Sequence, residues 1–574
     1  MLGKRSSQRG LMEADHLYLD HVGRGTFYGF LASQRGNLFC DGDFSALYCA
    51  DNGRNSVPPS TLATVLMLQA YDGVSDEEAK ERADFDLRWK VALGVEIEER
   101  PFAKSTLQLF RGQLILHEKM KVVFERSLEF ARESGYLKKR KLKVALDTSH
   151  ILGRGAVKDT YNLLSDGIVR LLAVVAKLRK VSKYVWARAN GLSRYVGSSL
   201  KGEAGVDWDD PAARQAFLAG IVADADRLLE LAREAASSYA EGSAERQRIR
   251  EAASLLGQLL LQDVDRQGGE IGLHQGVAKD RVVSVHDPEM RHGRKSKSTA
   301  FDGHKGAVAA DAESGLILAA AVLPGNAYDS DGALQLVQES ESSAGVGVEE
   351  VIGDCAYGDV STRQAFADAG RTLIAPVPRH VNGGFFPKEL FTIDLERGLC
   401  RCPAGQECLK LAPRGRYRDR TGRVHLRRAF EFDAPVCAAC MLRPKCVRAG
   451  PGHGRTVSLH PEEAMLQQAR RFQGSPEYAP YRRMRQTVEH RLARLMQLGV
   501  RRARYFGRHK TLFQLLMAAT VANLTLVAGK TGMMKNGPSP ATLLSWILKR
   551  LTNLNQMTQR LLMPISSPKM ALSG

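Results

Sequence analysis

Apolar residues recur at helical spacing through the first part of the chain. Over residues 61–72, Leu62, Val65, Leu66, Leu68 and Ala70 mark one helix, and Gly73 stands where it should stop. Ser75 and Glu78 have capping-box spacing, so a second helix is predicted to begin there, with Phe85, Trp89 and Leu93 as apolar positions. A third is predicted over 106–134. The pattern then changes. Residues 141–146 alternate and turn apolar, a strand predicted to end at Asp147, and 161–261 return to helical periodicity. Strand patterns follow at 281–285, 306–310, 316–322 and 372–377, and Val348 to Gly353 reads as a strand ending at Asp354. Helices are predicted over 331–339, 361–369 and 475–498, the last carrying Glu489.

A final apolar run covers 512–527. A membrane span needs about 20 mostly apolar residues. Gln514, Thr520, Asn523 and Thr525 interrupt this one, so it is read as a buried helix and no membrane partner is expected. The first ten residues are polar and basic, which does not resemble a secretory leader, and a cytoplasmic location is expected. The expected organisation is α/β: an N-terminal helical domain over 1–140, then a mixed-sheet domain over 141–528. A helical insertion at 155–280 and a cysteine-rich insertion at 386–450 interrupt the second domain, and a tail follows at 529–574.

Composition adds one constraint. Hydrophobic content of 44% and charged content of 25% are ordinary for a globular chain of 574 residues. The net charge of +19 is not, and it calls for a polyanionic partner, nucleic acid before an anionic membrane surface.

Six of the nine cysteines crowd into one segment: Cys400, Cys402, Cys408, Cys437, Cys440 and Cys446. Without a secretory leader, such clustering favours metal over disulfides. Cys437 and Cys440 are knuckle-spaced, and 414–432 between the two clusters is β-rich, which suggests a zinc ribbon. The expected ligands are Cys402, Cys437, Cys440 and Cys446, with Cys400 or Cys408 able to replace one of them.

Three acids stand out. Asp147 ends the run Val144-Ala-Leu-Asp147, and Asp354 ends Val351-Ile-Gly-Asp354. A short carboxylate at a strand end is a rigid ligand mount. Glu489 is the only acid from Tyr481 to Lys510, a stretch with ten Arg or Lys residues. Phosphodiester cleavage suits such a set, because two Mg²⁺ ions about 3.5–4 Å apart serve both the attacking and the leaving oxygen. Asp159, Asp287, Glu289, Asp302 and Asp359 remain rival acids, and a helical ion pair with Arg485 is the alternative role for Glu489. Among the histidines, only His490 is kept as a neighbour of the site.

The residues 44–95, Asp147-Thr-Ser, Gly303-His-Lys305, Pro324-Gly-Asn326, Asp354-Cys-Ala-Tyr357-Gly358 and Glu489-His-Arg491 together resemble bacterial DDE insertion-sequence transposases, most of all the group numbered eleven-eighty-two. The resemblance reaches to about residue 527. It implies a ribonuclease-H-like catalytic domain and an N-terminal domain that binds transposon ends. It also implies Asp147, Asp354 and Glu489 as the catalytic acids on Mg²⁺ or Mn²⁺, and a dimer acting on terminal inverted repeats and target DNA. Lys305, Arg482, Arg485, Arg491, Arg501, Arg502 and Arg504 are the expected DNA contacts. One departure is plain. Relatives carry Tyr and Lys around the last acid where this chain has Arg482 and Met496, which bears on a hairpin route of cleavage. The alternatives are a DNA-binding protein derived from a transposase and a metallonuclease that cuts without joining.

Overall fold

The computed structural model describes residues 1–534 apart from 7–9, 11, 50–52, 139, 267–269, 297, 380–381 and 419–421. Most of the tail predicted at 529–574 therefore lies outside the described residues. The described residues form two compact units, 1–136 with 523–534, and 137–522.

The first unit is helical. The helix expected over 61–72 spans Pro59–Asp72 and stops at Gly73, whose φ of 70° is the left-handed conformation that glycine adopts freely. Ser75 and Glu78 form the capping box of the next helix, Asp76–Phe85. That helix ends sooner than expected, because Asp86 caps a separate one, Leu87–Leu93, by accepting from the Arg88 amide. Trp89 and Leu93 are fully buried, whereas Phe85 is 72% exposed and is not a core residue. The Asp72 carboxylate takes bonds from Tyr28 Oη at 2.7 Å, Arg82 Nη1 at 2.9 Å and Trp89 Nε1 at 2.7 Å, tying three helices to one acid. The single helix expected over 106–134 is two, Lys104–Leu116 and Met120–Glu133. Glu118 breaks it at a φ of 54°.

The second unit is built on a six-stranded mixed sheet. In chain order its strands are β1 (Leu142–Leu152), β4 (Arg291–Arg294), β5 (Ala300–Asp311), β6 (Ile317–Pro324), β7 (Val348–Ile352) and β8 (Thr372–Ile374); β2 (Val264–Asp265) and β3 (Gly272–Leu273) form a separate small pair. β5 runs antiparallel between β1 on one side and β4 with β6 on the other. β1, β7 and β8 run parallel. The long continuous ladders explain the apolar runs: Val144, Ala145, Leu146, Val308, Ala309 and Ala310 are all buried, as expected of strands covered on both faces.

Two expectations change here. The strand carrying Asp147 does not end at it, because β1 keeps pairing with β5 as far as Leu152 opposite Gly303. The segment 281–285 joins no ladder, although Val282, Val283 and Val285 are buried. Side chains satisfy its backbone instead: Gln262 bonds both the Val282 amide and carbonyl, and Arg170 reaches the Val285 carbonyl.

Between β1 and β4, the helices Thr160–Leu178, Lys183–Ala189, Pro211–Ser237 and Ala244–Asp263 close around their own core, with Leu163, Leu164, Ile168, Ile221 and Leu256 fully covered. The cysteine segment folds as two small sheets, β9 (Thr392–Asp394), β10 (Leu399–Arg401) and β11 (Glu407–Cys408), then β12 (Leu411–Arg418), β13 (Val424–Glu431) and β14 (Thr456–Leu459). The helix Ala479–Leu495 follows, and it gives way to an irregular turn at Met496–Val500 in which Gly499 takes a φ of 84°. The apolar run at 512–527 lies in the helix Arg508–Lys530, whose most apolar window is 78% buried.

Candidate active site

Asp147 sits where one neighbour of β1 stops. β7 pairs with β1 up to Ala145 opposite Ile352, and Asp147 and Asp354 each lie two residues past that pair. The register therefore stands the two acids side by side, with β1 still anchored to β5 on its other edge. Each carboxylate is aimed by a local amide: Thr148 N–H donates to Asp147 at 2.7 Å, and Ala356 N–H to Asp354 at 2.8 Å. The helix Ala479–Leu495 packs across β1 and β5 through a buried face of Val488, Leu492 and Leu495. Thr487 Oγ1 bonds the Ala312 carbonyl at 3.1 Å and Tyr481 Oη bonds Glu350 at 2.7 Å, which fixes the helix along the sheet. Glu489, next to Val488, comes close enough to raise the pKa of both aspartates.

Burial pushes the Asp147 carboxyl up to about 7; the Thr148 amide opposes this, and the charges of Asp354 and Glu489 add to it. Asp354 is raised as well, first by burial, with Asp329 and Glu489 contributing. Tyr357 is buried next to the three aspartates, and burial followed by their charge holds its hydroxyl far from ionisation. Four acids thus share one small region, and Arg485 opposes the rise at both Asp147 and Asp354.

Asp329 is the residue that sequence reading missed. It follows β6 in the loop Tyr328-Asp329-Ser330-Asp331, and its Oδ1 accepts from Thr148 Oγ1 and Lys305 Nζ, both at 2.8 Å. It lies five residues past the end of β6, so no strand-end pattern marked it as one marked Asp354. The five rival acids are engaged elsewhere. Asp159 and Asp359 cap helices, Asp287 bonds buried His304 at 3.3 Å, Glu289 holds the Arg508 amide at 2.7 Å, and Asp302 pairs with His292.

Several of the basic residues are tied within the fold. Lys305 Nζ is half-enclosed between Asp329 and the Ala327 carbonyl, 2.7 Å away. Arg485 pairs with Glu489 at 2.9 Å, which is the helical ion pair named as that acid's alternative role. Arg501 Nη1 lies 2.8 Å from His150 Nε2, and 501–503 runs alongside the end of β1, with Leu152 opposite Arg502. Arg482, Arg502 and His490 are exposed, while Arg491 and Arg504 are half-buried. Tyr481, one place from the tyrosine position of relatives, is occupied by Glu350.

Among the described residues, the one group of three His, Cys, Asp or Glu side chains whose ligand atoms all lie within 4.8 Å of one another is elsewhere, at Glu13, Asp15 and His16; the cysteines of 400–446 do not meet that spacing. Arg35 lies against it, 3.0 Å from Asp15 and 3.9 Å from Glu13. The Asp147, Asp354 and Glu489 carboxylates form a wider arrangement.

In the cysteine segment, Cys402, Cys437, Cys440 and Cys446 line one cavity of about 20 Å³, with Arg455 at its edge. That is room for about one small occupant. The Arg455 amide lies 3.4 Å from Cys437 Sγ, and its guanidinium holds the Cys446 carbonyl at 2.9 Å. Burial raises the Cys446 thiol, and Cys437, Cys402 and Cys440 add to it. Cys400 and Cys408 do not line this cavity. They pair across β10 and β11 in the core, where burial lifts the Cys400 thiol to about 12.

Two family models match the chain. Residues 401–528, which contain Glu489, the arginines after it and all four cavity cysteines but neither Asp147 nor Asp354, match one described as "Transposase DDE domain". Residues 20–113 match one described as "Transposase domain (DUF772)". No curated protein and no solved structure matches. In its N-terminal helices and in the stretch that carries the last acid, the chain is similar to bacterial-type insertion-sequence transposases.

Proposed function

We propose that the chain is a DDE transposase of the group numbered eleven-eighty-two, which cleaves DNA at transposon ends and transfers the freed strand into target DNA. The observation that carries this is the register that stands Asp147 on β1 beside Asp354 just past the parallel β7, with the Glu489 helix laid across β1 and β5. The strand order β6, β5, β1, β7, β8, with only β5 antiparallel to its neighbours among the central three, supports a ribonuclease-H-like catalytic domain. The match over 20–113 supports an end-binding role for the N-terminal helices.

Asp147, Asp354 and Glu489 would hold divalent cations. An all-carboxylate donor set suits Mg²⁺ or Mn²⁺, and a cation between them would offset the burial and the neighbouring charge that raise Asp147 and Asp354. Such ions supply an activated water and charge stabilisation on the leaving oxygen. The protein's own part is positioning. The Thr148 and Ala356 amides fix the two aspartates, and Arg485 fixes Glu489. Arg482 and Arg502 stand free for phosphate, Arg501 is aimed by His150, and Lys305, Arg491 and Arg504 complete the basic surround. Cys402, Cys437, Cys440 and Cys446, which line one cavity, would hold a structural Zn²⁺ that draws their thiols together. The partners are terminal inverted repeats and target DNA, bound by a homodimer.

The test is a labelled duplex carrying the element's end, incubated with Mg²⁺ or Mn²⁺. Wild type should nick at the element boundary, and Asp147→Ala, Asp354→Ala and Glu489→Gln should bind the duplex without nicking it. Boundary nicking that survives one of these substitutions would remove that acid from the site.

A further inference from the structure

The hairpin of β12 and β13 leaves the cysteine segment as a two-stranded ribbon. Its base is fixed. β14 pairs with β13 over Arg428 to Glu431, Ala429 and Phe430 are buried, and Cys408 Sγ lies 3.1 Å from the Glu431 carbonyl. Beyond that base the two strands pair only with each other, Arg416 opposite Leu426, Tyr417 opposite His425 and Arg418 opposite Val424. Residues opposite one another on a ladder share a face, so the ribbon has two distinct sides. One side is tied down: Tyr417 stacks on His425 with centroids 5.2 Å apart, meets His460 Nε2 at 2.9 Å, and lies under Arg427. The other side carries Arg416, Arg418, Val424, Leu426 and, next in the alternation, Arg428, all exposed.

Folding accounts for little of that second side, where Arg418 Nη1 donates to the Gly422 carbonyl at 3.4 Å. Among the described residues no carboxylate pairs with Arg416, Arg418 or Arg428; Glu431, at the base, takes Arg414 at 2.5 Å and Lys410 at 3.5 Å. Like charges on one face of a ribbon repel. Between them Val424 is 55% exposed and Leu426 47%, apolar surface rimmed by guanidiniums.

We infer that this face docks into the major groove of duplex DNA. The three guanidiniums contact phosphates on the groove walls, and Val424 and Leu426 lie against thymine methyl groups on its floor. The inference rests on the reading of the chain as a DNA transposase. A two-stranded ribbon fits a groove about 12 Å wide, and aliphatic contact with the thymine methyl is one of the ways a base is read. A second copy of the chain is the competing occupant. Three positive charges that pair with no carboxylate among the described residues, facing their own image in a chain of net charge +19, argue against it.

The experiment measures binding of the full chain to a labelled duplex from the DNA flanking its gene, at several salt concentrations, with a hydroxyl-radical footprint. Combining Arg416→Ala, Arg418→Ala and Arg428→Ala should lower the slope of log affinity against log salt by about 2–3, roughly 0.9 per lost phosphate contact. It should also erase one patch of the footprint and leave the rest. Combining Val424→Ser and Leu426→Ser should keep the slope and weaken binding only where the protected patch holds thymine. The single tip substitution Arg418→Glu gives a second readout should the triple variant melt early, and it too should lower the slope. Well-folded variants with wild-type slope and footprint would overturn the ribbon contact and leave the transposase reading standing. Variants that alter self-association of the free chain at an unchanged slope would overturn it in favour of a chain–chain interface. A wild-type chain that binds no DNA would overturn both readings.

Discussion

The acid-bearing sheet and the cysteine segment belong to the same compact unit, yet they are held up by different means. The sheet rests on long ladders whose side chains are buried on both faces, such as Val144 to Leu146 against Val308 to Ala310. The cysteine segment has a core of seven buried residues, Phe391, Cys400, Cys408, Phe430, Phe432, Cys446 and Val457, and three of these are cysteines. A core that small is marginal without a cross-link or a metal. The comparison teaches where each candidate metal acts. At the sheet the fold comes first and gathers like charges, so a cation held there would serve chemistry. At the cysteines Cys446 belongs to that small core and Cys402 and Cys437 pack against it, so a cation held there would serve folding.

The largest expected effect tests that contrast. Removal of zinc by a chelator, or Cys437→Ser, should open residues 386–460 to proteolysis while β1, β5 and β7 stay protected from hydrogen exchange. Structural zinc sites contribute on the order of 10 kcal/mol to folding. Equal loss of protection in both regions would mean that the two are not separately supported.

A smaller effect is expected at Asp329, which holds Thr148 Oγ1 and Lys305 Nζ next to the acids. Asp329→Asn should slow boundary nicking about 10–100-fold, the range seen when an outer partner of a metal ligand is lost. DNA affinity should be retained, and single-turnover kinetics on a bound duplex separates the two. Lost binding with unchanged turnover would move Asp329 from the site to the DNA surface.

The smallest effect sharpens the claim that the acids are crowded. Asp147 is raised to about 7, mainly by burial, so the fold favours its protonated form. Stability of the metal-free chain should therefore fall as pH rises from the ordinary carboxyl range near about 4 to about 7, and be level above that. Asp147→Asn, which cannot ionise, should melt a few °C higher than wild type at pH 8, on the order expected for such a change in a large domain. The gain should vanish toward pH 4. A gain that is constant with pH would place the cause in packing rather than charge.

Much of the sheet was legible because a strand covered on both faces must be apolar throughout. Val144-Ala-Leu and Val351-Ile-Gly announce themselves, and the acids that follow stand out against them. The end of β1 was not legible, because its continuation to Leu152 depends on β5, some 150 residues away in the chain, which no local pattern encodes. Asp329 was missed for a related reason: a loop acid takes its meaning from Thr148 and Lys305, which come near it only in the fold. The segment 281–285 was apolar because it is buried, and the partners that excuse it from a ladder are side chains of Gln262 and Arg170. The four cavity cysteines were readable from spacing, and the cross-strand pair Cys400 and Cys408 separates from them only through sheet register.

The most direct measurement of the central claim is iron-generated cleavage of the protein itself. Fe²⁺ with ascorbate and peroxide cuts a backbone near the sites where the ion is held in place of Mg²⁺. The account predicts cuts close to Asp147, Asp354 and Glu489, suppressed by added Mg²⁺ and absent in Asp147→Ala. Cuts confined to the neighbourhood of Glu13, Asp15 and His16, with none near the three acids, would contradict it.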